Sequence, residues 1–202
     1  MYWVRIPDMI TRCFPDFVWK VGAQEIALTF DDGPDPETTE QLVALLKQQN
    51  CLATHFLLGN KAQKYPELVE QIRSAGHAAG HHSFSHPDGW RTGNDIYLED
   101  VRRGYDIVQS PLFRPPYGKI RPGQWHQLKK DHPDMRCILF NLMPGDFDVS
   151  TDIRKLRERL YRAKGGDIIV LHDRKACYEK YAEILPEWIQ AMREKGLSFV
   201  TL

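Results

Sequence analysis

Short apolar runs alternate with amphipathic helical stretches along almost the whole chain, and this alternation restricts the fold more than any other feature. Gln24–Phe30, Ala53–Leu58, His77–His82, Arg136–Leu142, Asp167–His172 and Leu197–Leu202 read as strands. Between and after them, Pro36–Gln49, Pro66–Ala75, Asp95–Gln109, Arg121–Lys130, Asp152–Ala163 and Tyr178–Lys195 read as helices. Strand–helix alternation implies a parallel sheet with helical crossovers. The expected architecture is α/β, a distorted and incomplete (β/α)7 barrel. In such barrels chemistry sits at the C-terminal ends of the strands. The first twenty or so residues stand outside the alternation. Their aromatics, Trp3, Phe14, Phe17 and Trp19, predict an N-terminal arm over residues 1–22, packed on a barrel domain of residues 23–202.

Charge narrows the choice of partner. The 202 residues carry 27 Lys+Arg against 27 Asp+Glu. That balance offers no bulk field to nucleic acid or an anionic membrane surface. No apolar run approaches the ~20 residues of a membrane span, and the first residues show no leader pattern. A cytoplasmic location is the default expectation. The four cysteines, Cys13, Cys51, Cys137 and Cys177, form no C-x-x-C pair and read as reduced, mostly buried thiols.

The polar residues at the predicted strand ends carry the chemical signal. Asp31 and Asp32 follow a strand directly and precede Gly33-Pro34. Adjacent carboxylates there need a cation to offset desolvation, although a solvated turn would show the same residues. His82 and His86 are four apart, a spacing that places two imidazoles on one face of a helical turn for a divalent metal. With Asp32 they make a His-His-Asp set that leaves positions open, as a catalytic metal requires. Arg114 opens Arg114-Pro115-Pro116-Tyr117-Gly118, a stiff loop suited to holding a guanidinium on a carboxylate. Its first available backbone donor for an oxyanion is Tyr117. His172 ends an apolar strand and is a candidate acid or base, with Asp146 or Asp148 as its orienting partner. Trp90, Trp125, Phe147 and Tyr117 are aromatics able to stack on sugars, or simply core and rim residues.

Read in order, these segments resemble the polysaccharide deacetylases of carbohydrate esterase family four, over roughly residues 24 to 202. The motifs are Thr29–Gly33 (TFDDG), His82–His86 (HSFSH), Arg114–Gly118 (RPPYG) and Leu171-His172. The resemblance implies a distorted (β/α) barrel and hydrolysis of an acetyl group, most simply an N-acetyl, from an amino-sugar glycan or oligosaccharide. It implies one divalent metal, zinc first and cobalt or nickel as alternatives, on Asp32, His82 and His86. It further implies Asp31 as base aimed by Arg114, Tyr117 N–H at the oxyanion, and His172 as acid oriented by Asp146. Two alternatives share the scaffold: an O-acetyl esterase on xylan-like glycans, and a non-catalytic sugar-binding protein. The family pattern pairs the motif Asp with Trp, where this chain has Phe147, and here Asp173 follows His172.

Overall fold

The computed structural model describes residues 2–202. Seven strands form one sheet: β1 (Glu25–Asp31), β2 (Thr54–Leu57), β3 (Ala78–His81), β4 (Leu112–Phe113), β5 (Arg136–Cys137), β6 (Ile168–His172) and β7 (Ser198–Phe199). The order is β5-β4-β3-β2-β1-β6, every pairing is parallel, and β7 pairs with the first residues of β1. The sheet curls because the chain beyond β5 returns to β6 through a parallel bridge of Leu142 to Ile169. Arm residues fill the remaining gap, with Val18 bridging Ile138 and Lys20 bridging Asp167. The result is the incomplete, distorted barrel that the alternation predicts.

Side-chain parity along β1 explains how the barrel carries a site. Ile26, Leu28 and Phe30 face outward into a core with Trp188, Ile189 and Met192 of the last helix. Ala27, Thr29 and Asp31 occupy the alternate positions. Ala27 belongs to an interior layer with Phe56, Leu112, Ile138 and Ile168. The inward face therefore grades from apolar to hydroxyl to carboxylate toward the C-terminal edge. β6 repeats the pattern: Ile169 and Leu171 join the outer core, while Ile168 lies inside and His172 ends the inward row. Register then sets Asp31 beside His172, and β1 pairs in parallel with both β2 and β6.

The helices are α1 (Asp8–Cys13), α2 (Thr39–Gln48), α3 (Gly59–Lys64), α4 (Pro66–Ser74), α5 (Asn94–Val108), α6 (Pro122–Asp131), α7 (Ile153–Leu160), α8 (Lys175–Tyr181) and α9 (Leu185–Glu194). Several differ from the sequence reading. The single helix expected over Tyr178–Lys195 is two, and Pro186 sits in the first turn of α9, where its missing N–H costs nothing. The strand expected over Arg136–Leu142 keeps ladder pairing only at Arg136–Cys137, because the arm takes over its partners. Likewise, Leu197–Leu202 contracts to β7. Helices α1 and α3 and strand β4 were not anticipated.

Asp173 is fully buried behind β6. Its Oδ1 and Oδ2 accept from the hydroxyls of Thr38 (2.7 Å) and Thr39 (2.5 Å), tying β6 to the start of α2. Burial pushes its carboxyl up to about 6, only partly opposed by the two threonine hydrogen bonds. The native state therefore holds a proton there that the unfolded chain has released. Stability from this group is complete below the ordinary Asp value and is lost as pH rises through about 6. Asp173→Asn removes the titration, so its stability relative to the parent should rise by about 2 kcal/mol between pH 4 and pH 7. Urea melts of both proteins at the two pH values check this.

Candidate active site

Seven of the nine residues singled out from sequence line a single cleft of about 1020 Å3: Asp31, Asp32, His82, His86, Tyr117, Phe147 and His172. The other two, Arg114 and Asp146, are buried. Arg114 reaches across the barrel, its Nη1 donating to Asp31 Oδ1 at 2.7 Å and to Thr29 Oγ1 at 2.6 Å. Its Nε and Nη2 donate to the carbonyls of Ile138 (3.3 Å) and Leu139 (3.2 Å), and its guanidinium lies 4.0 Å from the Phe56 ring centroid. Each of the three guanidinium nitrogens donates a hydrogen bond, so the planar cation is fixed and holds Asp31 in one orientation.

Asp32 is held with φ 73°, which turns its side chain toward the two histidines. Its Oδ1 lies 3.5 Å from His86 Nε2 and 3.9 Å from His82 Nε2. The donor atoms of Asp32, His82 and His86 all fall within 4.8 Å of one another. His82 Nδ1 is 2.7 Å from the Arg114 carbonyl. It must therefore carry the proton, which leaves the Nε2 lone pair free for a metal. Burial, then repulsion from His82, pushes His86 down to about 4, so it is neutral at pH 7, as a ligand must be. For Asp32, burial works upward, but His82, His172, His86 and Arg174 together outweigh it and hold the carboxyl below its ordinary value. Two imidazoles and one carboxylate with an open side fit a catalytic divalent metal.

The histidines do not sit on a helical turn as their spacing suggests. They occupy a loop in which Ser83 (φ 65°) and His86 (φ 68°) are left-handed. Asp100 Oδ1 accepts from the backbone N–H groups of Phe84 (2.8 Å) and Ser85 (3.0 Å), and Ser83 Oγ accepts from His86 N–H (3.1 Å). Gly104 of α5 lies under this loop, where an added Cβ would come within 2.6 Å of the Ser83 carbonyl carbon. Gly104→Ala should therefore push the loop outward and lower metal affinity about tenfold or more. Metal titration by calorimetry reads this directly.

His172 ends β6 beside Asp31. Its Nδ1 is 3.0 Å from Asp146 Oδ1, and its backbone N–H donates to Asp146 Oδ2 at 2.7 Å. Burial disfavours the imidazolium, but the Asp146 carboxylate overrides it, and the net direction is upward. Phe147 packs edge-on to His172 with centroids 5.1 Å apart, and Tyr2 of the arm covers Phe147 at 5.0 Å. Tyr117 is left-handed (φ 58°) and packs on His86 at 4.5 Å. The turn's own hydrogen bonds, from Gly118 N–H to Pro115 and Lys119 N–H to Pro116, do not use the Tyr117 N–H.

Three comparisons bear on this arrangement. The family model described as polysaccharide deacetylase matches residues 20–132. The chain belongs to the polysaccharide deacetylase family. Two Bacillus cereus proteins, each a peptidoglycan-N-acetylglucosamine deacetylase, are similar to it. One is 33% identical over 196 residues, covering 91% of this chain and 90% of its own. The other is 32% identical over 185 residues, covering 88% of this chain and 66% of its own. The crystal structure of the Bc1960 peptidoglycan N-acetylglucosamine deacetylase superposes with TM-score 0.87 at 28% identity, covering 98% of this chain and 95% of that one. The family-model match ends at residue 132, so the roles of Asp146 and His172 are argued from the geometry above.

Other expected residues fall elsewhere. Trp125 is a core residue among Tyr97, Leu128 and Met135, not a sugar platform. His77 and His81 are buried, the latter stacked on Phe113 at 4.8 Å. Cys51, Cys137 and Cys177 are buried and Cys13 is exposed. Arg174 was missed: its Nε lies 3.3 Å from Asp32 Oδ2, the oxygen turned away from the histidines. Lys61, which donates to the Asp32 carbonyl at 2.8 Å, was missed as well. Both lie outside the motif strings, and only their side-chain reach brings them in.

Proposed function

We propose that this deacetylase-family chain hydrolyses N-acetyl groups of an amino-sugar glycan, with one divalent metal, zinc first, on Asp32, His82 and His86. The observation that carries the proposal is the convergence in one cleft of two neighbouring groups with different buried partners. Asp31 is clamped by a buried guanidinium, and His172 is backed by a buried carboxylate. When bound, the metal supplies Lewis acidity toward the acetyl carbonyl and makes a nearby water easier to deprotonate.

The chain's own groups do the rest. Asp31 Oδ2 is the free oxygen of a carboxylate whose Oδ1 is committed to Arg114, and it takes the water proton as oxygen adds to the carbonyl carbon. The Tyr117 N–H donates to the oxygen on which charge develops. As the C–N bond breaks, protonated His172 gives its Nε2 proton to the leaving nitrogen, and Asp146 keeps the ring turned that way through Nδ1. Products are acetate and a free amine. The relatives named for peptidoglycan N-acetylglucosamine support an amino sugar as substrate.

His86→Ala removes one of three ligands and should leave the protein folded but depleted of metal after dialysis, by elemental analysis. Asp146→Asn should lower the His172 pKa, because the carboxylate is what raises it against burial. The basic limb of the kcat/KM profile then moves to lower pH. A basic limb unchanged in Asp146→Asn would remove His172 from the acid role. Parallel rates on N-acetyl and O-acetyl substrates test the bond assignment.

A further inference from the structure

We infer that the N-terminal segment of the arm, residues 2–6, adds a sugar subsite to the cleft, with Trp3 as its platform, so that the protein favours oligosaccharides long enough to span both cleft walls. The inference rests on the amino-sugar reading above. It concerns residues outside the family match, which begins at residue 20.

The segment is firmly built in. Arg5 pairs antiparallel with Leu142, Ile6 N–H donates to the Asn141 carbonyl (3.0 Å), and Met143 N–H donates to the Val4 carbonyl (2.8 Å). Arg5 forks onto the buried Asp167 at 2.9 and 2.8 Å. The Tyr2 hydroxyl accepts from Arg159 Nη1 at 2.8 Å, and Val4 packs on the main core. Between these two anchored neighbours, Trp3 is 49% exposed and lines the cleft. The backbone under Trp3 is already ordered, so less freedom is lost when a ligand stacks on its ring.

The distribution of exposed aromatics points the same way. Among the described residues four aromatic side chains are exposed: Trp3, Phe14, Trp90 and Tyr117. Three of them, all but Phe14, line this cleft. Scattered apolar residues on a surface need no explanation, but their convergence on one cleft does. Trp90 and Tyr117 belong to the His86 wall, joined by Lys119, whose Nζ is 5.5 Å from each ring. The arm segment belongs to the His172 wall through Tyr2 and Phe147. The cleft between them, about 1020 Å3, is at the upper end of ordinary ligand sites and has room for several pyranose rings. The C–H faces of pyranoses stack on indole and phenol rings, and the balanced walls suit a neutral, acetylated sugar chain.

The test is calorimetric binding of chitotetraose and chitobiose to the metal-loaded protein carrying Asp31→Asn, which prevents turnover. Trp3→Ala in that background should weaken chitotetraose about tenfold, as expected for loss of one aromatic anchor, and erase its advantage over chitobiose. Trp3→Phe should retain most of the advantage. Chitotetraose affinity within about twofold of the parent in Trp3→Ala, or equal losses for both sugars, would overturn the subsite alone. No chitotetraose binding with Trp3 intact would overturn the amino-sugar reading and the subsite with it.

Discussion

Asp31→Asn is expected to bind one metal per chain as the parent does and to release acetate about a thousandfold more slowly. The two halves of this result have separate causes. Metal retention follows because the proposed ligand atoms belong to Asp32, His82 and His86, while Asp31 is held by Arg114 through its Oδ1. The rate loss follows because an amide in place of the carboxylate cannot accept the water proton. Asparagine keeps the shape and still offers a carbonyl oxygen to Arg114, so the clamp survives. Elemental analysis and a discontinuous acetate assay on the same preparation separate the two. Near-normal turnover would remove Asp31 from the base role, and metal loss would place it among the ligands.

Arg114→Met carries the largest expected cost to stability. Arg114 is fully buried and Asp31 is 3% exposed, so deleting the cation leaves a buried carboxylate without its ion-pair partner. Removing one partner of a buried ion pair costs about 3–5 kcal/mol. For a chain of this length that lowers Tm by about 10–15 °C. It also frees two carbonyls, of Ile138 and Leu139, from their donors. Activity should fall with it, since the carboxylate loses the hydrogen bond that orients it. The double variant Asp31→Asn/Arg114→Met should recover part of the stability and none of the activity. A single variant within about 1 kcal/mol of the parent would mean that the pair does not bear the electrostatic weight assigned to it.

The parts of this site written into local pattern were legible, and those made by side-chain reach were not. Strand parity is local, so Thr29-Phe30-Asp31 already implies that Thr29 and Asp31 share a face and that Phe30 does not. His172 follows from the same counting along Ile168–His172. By contrast, the loop that presents His82 and His86 depends on Asp100 of α5 and on the close approach of Gly104, both well downstream. Spacing alone suggested a helical turn, which the left-handed Ser83 and His86 exclude. The break between α8 and α9 was hidden because Tyr178–Lys195 keeps helical periodicity and Pro186 is tolerated in a first turn. Arg174 is an unremarkable residue in sequence and becomes a partner of Asp32 only when β6 is laid beside β1.

The departures noted in the sequence also acquire physical roles. Phe147 is backed by Tyr2, so the wall beside His172 is built from two side chains of different segments. Asp173 ties β6 to the threonines that open α2, and so braces the turn carrying Asp31 and Asp32. None of the described helices is long and apolar enough to cross a membrane.

The most direct test is to measure metal content and acetate release from chitotetraose on one preparation, before chelation, after it, and after readdition of zinc. The account predicts about one zinc per chain, acetate release that disappears with the metal and returns with it, and loss of both in His86→Ala. Acetate release that persists in metal-free protein, or a reconstituted protein that binds no metal at Asp32, His82 and His86, would contradict it.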